Sequence, residues 1–367
     1  MNGKNTIYLI LIVTGLMVSC SGTSNKTKET GNSWALGPFE RVDSVNPVLQ
    51  PSKDLTFTDP IIQQPLLWEE KDVFNPAAVV RDNKIYLLYR AEDKIGKFKG
   101  TSRIGLAVSD DGFHFTKQPS PVFYPDEDSM KVYEWPGGCE DPRIVESDSG
   151  TYIMTYTSYD GTTARLCVAT SKDLVNWSKT GLAFKSDAYR DLWSKSGAIV
   201  SRRDGGKIVA VKINGKYWMY WGDTNIYLAT SDNLVDWNPL EDSTGNLKPI
   251  IRPRPGKFDS QLVESGPPAI LGDNGILLIY NSENSPEIGD KSIPSGTYSA
   301  GQVLFDKNDP GKILHRLENH FFTPVKPYEI TGQVNNVCFL EALVKFKGKY
   351  YLYYGTADSK IAVAVAE

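Results

Sequence analysis

A short strand-like segment ending in tyrosine recurs five times in this 367-residue chain. It reads KIYLLY at residues 84–89, YIMTY at 152–156, KYWMY at 216–220, ILLIY at 276–280 and KYYLYY at 349–354. From Tyr89 to Tyr156, Tyr220, Tyr280 and Tyr354 the steps are 67, 64, 60 and 74 residues. A second motif keeps phase with the first. Leu106-Ala107-Val108-Ser109-Asp110 leads to Phe115, Val168-Ala169-Thr170-Ser171-Lys172-Asp173 to Trp177, and Leu228-Ala229-Thr230-Ser231-Asp232 to Trp237. Each copy reads as a strand, a polar turn and an aromatic residue opening the next strand. Few segments carry a 3.6-residue apolar period. A long repeat of short strands predicts an all-β chain, a five-bladed β-propeller with four strands per blade. The repeats occupy the chain from about residue 55 to the end, inside a domain expected over residues 35–367. A pair of β-sandwiches is the alternative, but it does not predict five similar units.

A propeller gathers strand ends around one funnel, so the residues after each repeated tyrosine draw attention. They are Arg90-Ala91-Glu92-Asp93, Thr157-Ser158-Tyr159-Asp160, Trp221-Gly222-Asp223, Asn281-Ser282-Glu283 and Gly355-Thr356-Ala357-Asp358. Each set contains a carboxylate, which predicts either an acid-lined pocket or five similar surface turns. A further segment, Trp135-Pro136-Gly137-Gly138-Cys139-Glu140-Asp141-Pro142-Arg143, sets two acids and an arginine among glycines and prolines. That setting predicts a fixed turn suited to gripping a polar ligand. A surface turn with a local ion pair is the plainer reading.

Composition narrows the partners. With 40 Lys+Arg against 44 Asp+Glu the net charge is -4, which gives no reason to expect nucleic acid. Tyr, Phe and Trp number 19, 14 and 8, which suits both β-core packing and stacking on sugar rings. At the N-terminus, Lys4 precedes an apolar run over residues 7–18 and then Ser19-Cys20, which reads as a signal segment over residues 1–19. Met17-Val18-Ser19-Cys20 resembles a bacterial lipobox, implying lipidation of Cys20 and a membrane anchor; an ordinary secretory signal is the alternative. The absence of Asp after Cys20 points to the outer membrane of a Gram-negative envelope. Residues 20–34 form a polar tether. Cys139, Cys167 and Cys338 show neither a disulfide framework nor a zinc spacing and are expected to be buried. His114, His315 and His320 lack ligand spacing, so no metal or cofactor is expected.

Several motifs occur in a telling order. They are Phe74-Asn75-Pro76-Ala77, Leu88-Tyr89-Arg90-Ala91-Glu92-Asp93, Ser102-Arg103-Ile104-Gly105, Gly138-Cys139-Glu140-Asp141-Pro142-Arg143, Gly266-Pro267-Pro268 and Tyr354-Gly355-Thr356-Ala357-Asp358. Together they resemble glycoside hydrolase family 130, the mannoside phosphorylases and β-mannosidases on five-bladed propellers. The resemblance implies Asp141 as catalytic acid, and Asn75, Arg90, Arg143 and Asp358 as the residues that hold a terminal mannose. Arginine forks and carboxylates suit vicinal hydroxyls.

Two reactions divide that family. Phosphorolysis needs cations for a phosphate dianion, whereas hydrolysis needs a carboxylate base to activate water. Family phosphorylases carry basic residues after the third repeated strand and a histidine after the fourth. This chain has Trp221-Gly222-Asp223 and Asn281 there, and Glu264 before Gly266-Pro267-Pro268. It thus resembles the hydrolytic β-1,2-mannosidases, with Glu264 preferred as base and Asp223, shorter than the glutamate those enzymes carry, nearby. An envelope location agrees, because phosphorolysis outside the cell would release sugar phosphate where it is hard to recover. The expectation is an inverting exo-β-mannosidase acting on mannose-containing oligosaccharides. A mannoside phosphorylase and a non-catalytic glycan-binding lipoprotein are the alternatives.

Overall fold

The aromatic-rich repeats become the second strands of antiparallel units. In the computed structural model, which describes residues 33–367, the first unit runs Asp72–Arg81, Lys84–Glu92, Ser102–Ser109 and Thr116–Lys117. The second runs Gly138–Glu146, Tyr152–Tyr159, Ala164–Ser171 and Trp177–Leu182. The third is Ala198–Ile199, Lys216–Trp221, Tyr227–Ser231 and Trp237–Pro239. The fourth is Leu262–Ser265, Gly275–Glu283, Tyr298–Phe305 and Ile313–Arg316. The fifth has Cys338–Phe346, Lys349–Thr356 and Lys360–Ala366, and its outer strand is Glu40–Arg41 from the other end of the chain. There Glu40 pairs with Val365 and Arg41 with Ala364.

The expected signal segment, Cys20 and nearly all of the tether lie outside the described residues. The first of the described residues are already packed. Trp34 stacks on His315 with centroids 5.6 Å apart, and Leu36 exchanges two 2.8 Å hydrogen bonds with the Gln302 amide.

The second motif is turn chemistry. Ser171 Oγ accepts from the backbone N–H of Leu174 at 2.9 Å, and Asp173 Oδ1 from those of Val175 and Asn176. Ser231 and Asn233 repeat this arrangement around Leu234, as do Ser109 and Asp111 around Gly112. Short polar side chains that bond the backbone two and three residues on close such turns. The aromatic that follows is pinned as well, since the indoles of Trp177 and Trp237 donate to the carbonyls of Leu174 and Leu234, both at 3.1 Å.

The repeated tyrosines have a common task too. The hydroxyl of Tyr89 donates to Glu69, Tyr156 to Glu134, Tyr280 to Asp259 and Tyr354 to Glu329, at 2.7–2.8 Å. Each carboxylate also meets a cation from the outer strand of its own unit: Lys117, Lys179, Arg316 and Arg41, all at 2.5 Å. All four tyrosines and all four acids are fully buried. A buried carboxylate needs both a cation and donors to offset its desolvation. One polar lock therefore ties the segment leading into the first strand to the second and fourth strands in four units. In the third unit Tyr220 donates instead to the Pro310 carbonyl at 2.9 Å. Cys139, Cys167 and Cys338 are free and buried, as expected.

Arg41 makes the last lock depend on the N-terminal strand. Arg41→Ala leaves Glu329 buried without its cation and is expected to lower unfolding free energy in urea by about 3 kcal/mol. Arg41→Lys should recover part of it. Unchanged stability would show that this strand is held by its backbone ladder alone.

Candidate active site

Three of the first strands are bulged at matching places. The ladder slips between Phe74 and Pro76, between Glu140 and Arg143, and between Leu340 and Ala342. The extra residues are Asn75, Asp141 with Pro142, and Glu341. Asn75 and Asp141 have positive φ, 47° and 50°. A following proline has no N–H for the ladder, so a bulge there costs no hydrogen bond. A bulge also re-aims its side chain. The Glu140-Asp141-Pro142-Arg143 segment is therefore a bulge within the strand Gly138–Glu146, and not the fixed turn that its composition suggested. The prolines serve the same end: they fix a local geometry that an even ladder would not permit.

These strand positions open on a pocket of about 180 Å³ lined by Asn75, Arg90, Asp141, Lys195, Glu264 and Asp358, with Phe74, Tyr298 and Phe339 as its aromatic wall. Larger hollows of about 640 and 680 Å³ contain none of the expected catalytic or sugar-binding residues.

Asp141 is the centre of the pocket's charge. Its Oδ1 accepts from Asn75 Nδ2 at 2.9 Å and from Arg90 Nη1 at 3.2 Å, and Lys195 Nζ lies 3.6 Å from Oδ2. Burial pushes this carboxyl up, but Arg90, Lys195 and Asn75 outweigh it and hold Asp141 well below the usual carboxylate range. Its neighbour Glu140 goes the other way. Burial and the adjacent Asp141 charge push Glu140 up to about 7, against the pull of Arg90. Arg90 meets three further groups: Nη2 reaches Glu92 at 2.8 Å and Glu140 at 3.0 Å, while Nε donates to Ser102 Oγ at 3.0 Å. Asn75 Oδ1 has no donor. An added Cβ at Gly355 would stand 2.6 Å from it, so only glycine leaves room for this amide.

Glu264 is the third residue of the strand Leu262–Ser265 and accepts from the Ser196 hydroxyl. Burial raises its pKa above the usual carboxylate range, with Lys195 opposing. Lys195 is the residue that sequence reasoning missed. Burial would lower its pKa, but Glu264, Asp141, Glu140 and Asp223 together drive it up, so it stays a cation. It precedes the first strand of the third unit, 25 residues before Tyr220, whereas Asn75 and Asp141 stand 14 and 15 residues before their tyrosines.

Two expected residues stand elsewhere. Arg143 does not line the pocket; it is buried behind it. Its Nε donates to Gly266 O and Nη2 to Ser265 O, both at 2.8 Å, and Nη1 to Asp141 O at 3.2 Å. Glu341 lies 2.8 Å from Nη2, yet neither of its oxygens has an aligned hydrogen bond, and burial raises its pKa far above normal. The guanidinium had been expected to grip sugar, but the carbonyls around it consume its donors. Asp223 lies outside the pocket lining, and its Oδ2 accepts from Trp193 Nε1 at 2.6 Å. The acids after the repeated tyrosines thus divide. Asp358 lines the pocket and Glu92 supports Arg90, whereas Asp93 and Asp160 pair with Arg103 and Arg165, each at 2.6 Å. Those two arginines answer the acids locally, so phase alone did not deliver a ring of free carboxylates.

A confined pocket of acids with neutralised cations, on an all-β frame, is the site of a carbohydrate-active enzyme. Residues 40–367 match the family model described as β-1,4-mannooligosaccharide phosphorylase, and the chain belongs to glycoside hydrolase family 130. It is 33% identical over 82% of its length to a 1,2-β-oligomannan phosphorylase from Thermoanaerobacter, covering 91% of that protein. It is similar to the crystal structure of a glycosyl hydrolase from Bacteroides ovatus, with TM-score 0.88, 49% identity and coverage of 90% and 94% of the two chains. A further structure, TM-score 0.89 and 48% identical over 91% and 94%, belongs to work showing that this family contains glycoside hydrolases targeting β-1,2 mannosidic linkages in Candida mannan.

Asp358 gives a pH test. Burial pushes it up to about 7, with Arg90 opposing. The unfolded carboxyl titrates near about 4. In between, the folded chain holds a proton that the unfolded chain releases, so stability falls as pH rises through the folded value. Asp358→Asn is expected to lose less Tm than wild type between about pH 5 and 8. Parallel curves for the two proteins would place the Asp358 titration outside that window.

Proposed function

We propose that this chain is an inverting, exo-acting β-mannosidase that hydrolyses terminal β-1,2-linked mannose, on a closed five-bladed propeller whose blades are the five units. The observation that carries the choice of hydrolysis is the charge around the pocket. Its cations, Arg90 and Lys195, already face Asp141, Glu92, Glu140 and Glu264, so a phosphate dianion finds no unpaired positive site. The greater identity to the structures from the hydrolase work than to the phosphorylase relative supports the same reading.

Asp141 supplies the proton to the glycosidic oxygen, directly or through a sugar hydroxyl, and Glu264 activates water on the other face. Asp141 is ionised while the adjacent Glu140 carries the raised pKa, so Glu140 is the neighbour that can hold a proton. Sugar that screens Asp141 from Lys195 moves that proton onto it. Asn75, whose Oδ1 lacks a donor, Arg90 and Asp358 hold the terminal ring, and the small pocket admits one sugar from a chain end.

Incubation with β-1,2- and β-1,4-mannobiose, with and without phosphate, tests the reaction. Free mannose from the β-1,2 substrate without phosphate is expected, released as the α-anomer in NMR. Mannose 1-phosphate formed only with phosphate would reject hydrolysis. Asp141→Asn and Glu264→Gln are each expected to lower kcat by about 100- to 10,000-fold. The raised pKa of Glu264 puts the acid limb of the wild-type profile above the ordinary carboxylate range.

We also propose lipidation at Cys20 and attachment to the outer membrane, on the strength of the apolar run and the lipobox-like Met17-Val18-Ser19-Cys20. Cys20→Ala is expected to move the protein from the membrane fraction to the soluble one. An unchanged distribution would reject the anchor.

A further inference from the structure

Beside the pocket runs a strip of aromatic side chains that the reading above leaves unused. Trp193 is 48% exposed and Phe98 41%. Tyr159 lies between them, its ring centroid 6.5 Å from Trp193 and 5.9 Å from Phe98. Two glycines make room for the strip. A Cβ at Gly137 would come within 2.4 Å of the Tyr159 ring, and one at Gly161 within 2.1 Å of Phe98.

The exposed indole is also held. Its Nε1 donates to Asp223 Oδ2 at 2.6 Å. The Gly222 N–H donates to Lys195 O at 2.9 Å, fastening the Asp223 turn to the segment that carries Trp193. Two residues on from Trp193, Lys195 enters the pocket and stands 3.6 Å from Asp141. Tyr159 pairs in register with Gly138 of the strand that carries Asp141. The strip is thus continuous with the pocket on the side of Asp141.

A large apolar face left in water, yet fixed in orientation by a charged hydrogen bond, is preorganised for a ligand. The proton donor faces the glycosidic oxygen, so the departing group lies on its side of the scissile bond. We propose that Trp193, with Tyr159 and Phe98 behind it, is the subsite for the leaving-group sugar, whose C–H face stacks on the indole. Asp223 is then a positioning residue for Trp193 and not a base. This inference rests on the mannosidase reading and adds the acceptor side to it.

Two substrates separate the claims. β-1,2-Mannobiose has a sugar leaving group, whereas β-mannosyl fluoride offers none to stack. Trp193→Ala is expected to lose about tenfold or more in kcat/KM on mannobiose, chiefly through KM, and less than about threefold on the fluoride. Trp193→Phe should recover most of the loss. Asp223→Asn keeps an oxygen for the indole N–H and should retain turnover of both substrates. Equal losses on the two substrates, or none, would overturn the subsite. Loss of fluoride hydrolysis in Asp223→Asn would return Asp223 to the role of base. If wild type turned over neither substrate, the mannosidase reading would fail. The subsite would then stand or fall on whether the tryptophan fluorescence change with β-1,2-mannobiose vanishes in Trp193→Ala.

Discussion

One buried guanidinium sets the distance between the two acids on which the chemistry is proposed to rest. Arg143 belongs to the strand of Asp141 and bonds that residue's own carbonyl. It also takes the carbonyls of Ser265 and Gly266, directly after Glu264. Five donors in a rigid fork suit this task, which a flexible lysine would not perform. Glu341 stands close behind with its carboxyl pushed towards the neutral form. The arginine is therefore held chiefly by backbone carbonyls, and the strands carrying Asp141 and Glu264 are fastened as one piece.

Around that centre the frame repeats one solution to one problem. A tyrosine hydroxyl, a buried acid and a cation from the outer strand close four of the units. The fifth unit borrows its cation from Arg41, so the chain's two ends meet in the same buried contact. Such locks trade desolvation for geometry. They hold the first strands still enough for bulges at Asn75, Asp141 and Glu341 to present fixed side chains.

Much of this was legible in the residues. The period of the tyrosines marked the units because strand, turn and aromatic leave short-range patterns. The Ser-x-Asx turns and the motif around Asp141 were visible for the same reason. What misled was the assumption that acids in phase share a role. Asp93 and Asp160 have the same offset from their tyrosines as the pocket's Asp358, yet arginines ten and five residues further on claim them. Lys195 escaped notice because a lone lysine in a loop has no local signature.

Local chemistry along the chain was enough to mark an all-β protein of five similar units and the acids worth attention. Only the folded molecule decided which acids face the pocket, that Arg143 ties strands together behind it, and that Asp223 holds an indole. Hydrogen bonds between residues 30 to 123 positions apart settle those assignments, and no spacing in a linear sequence encodes their directions.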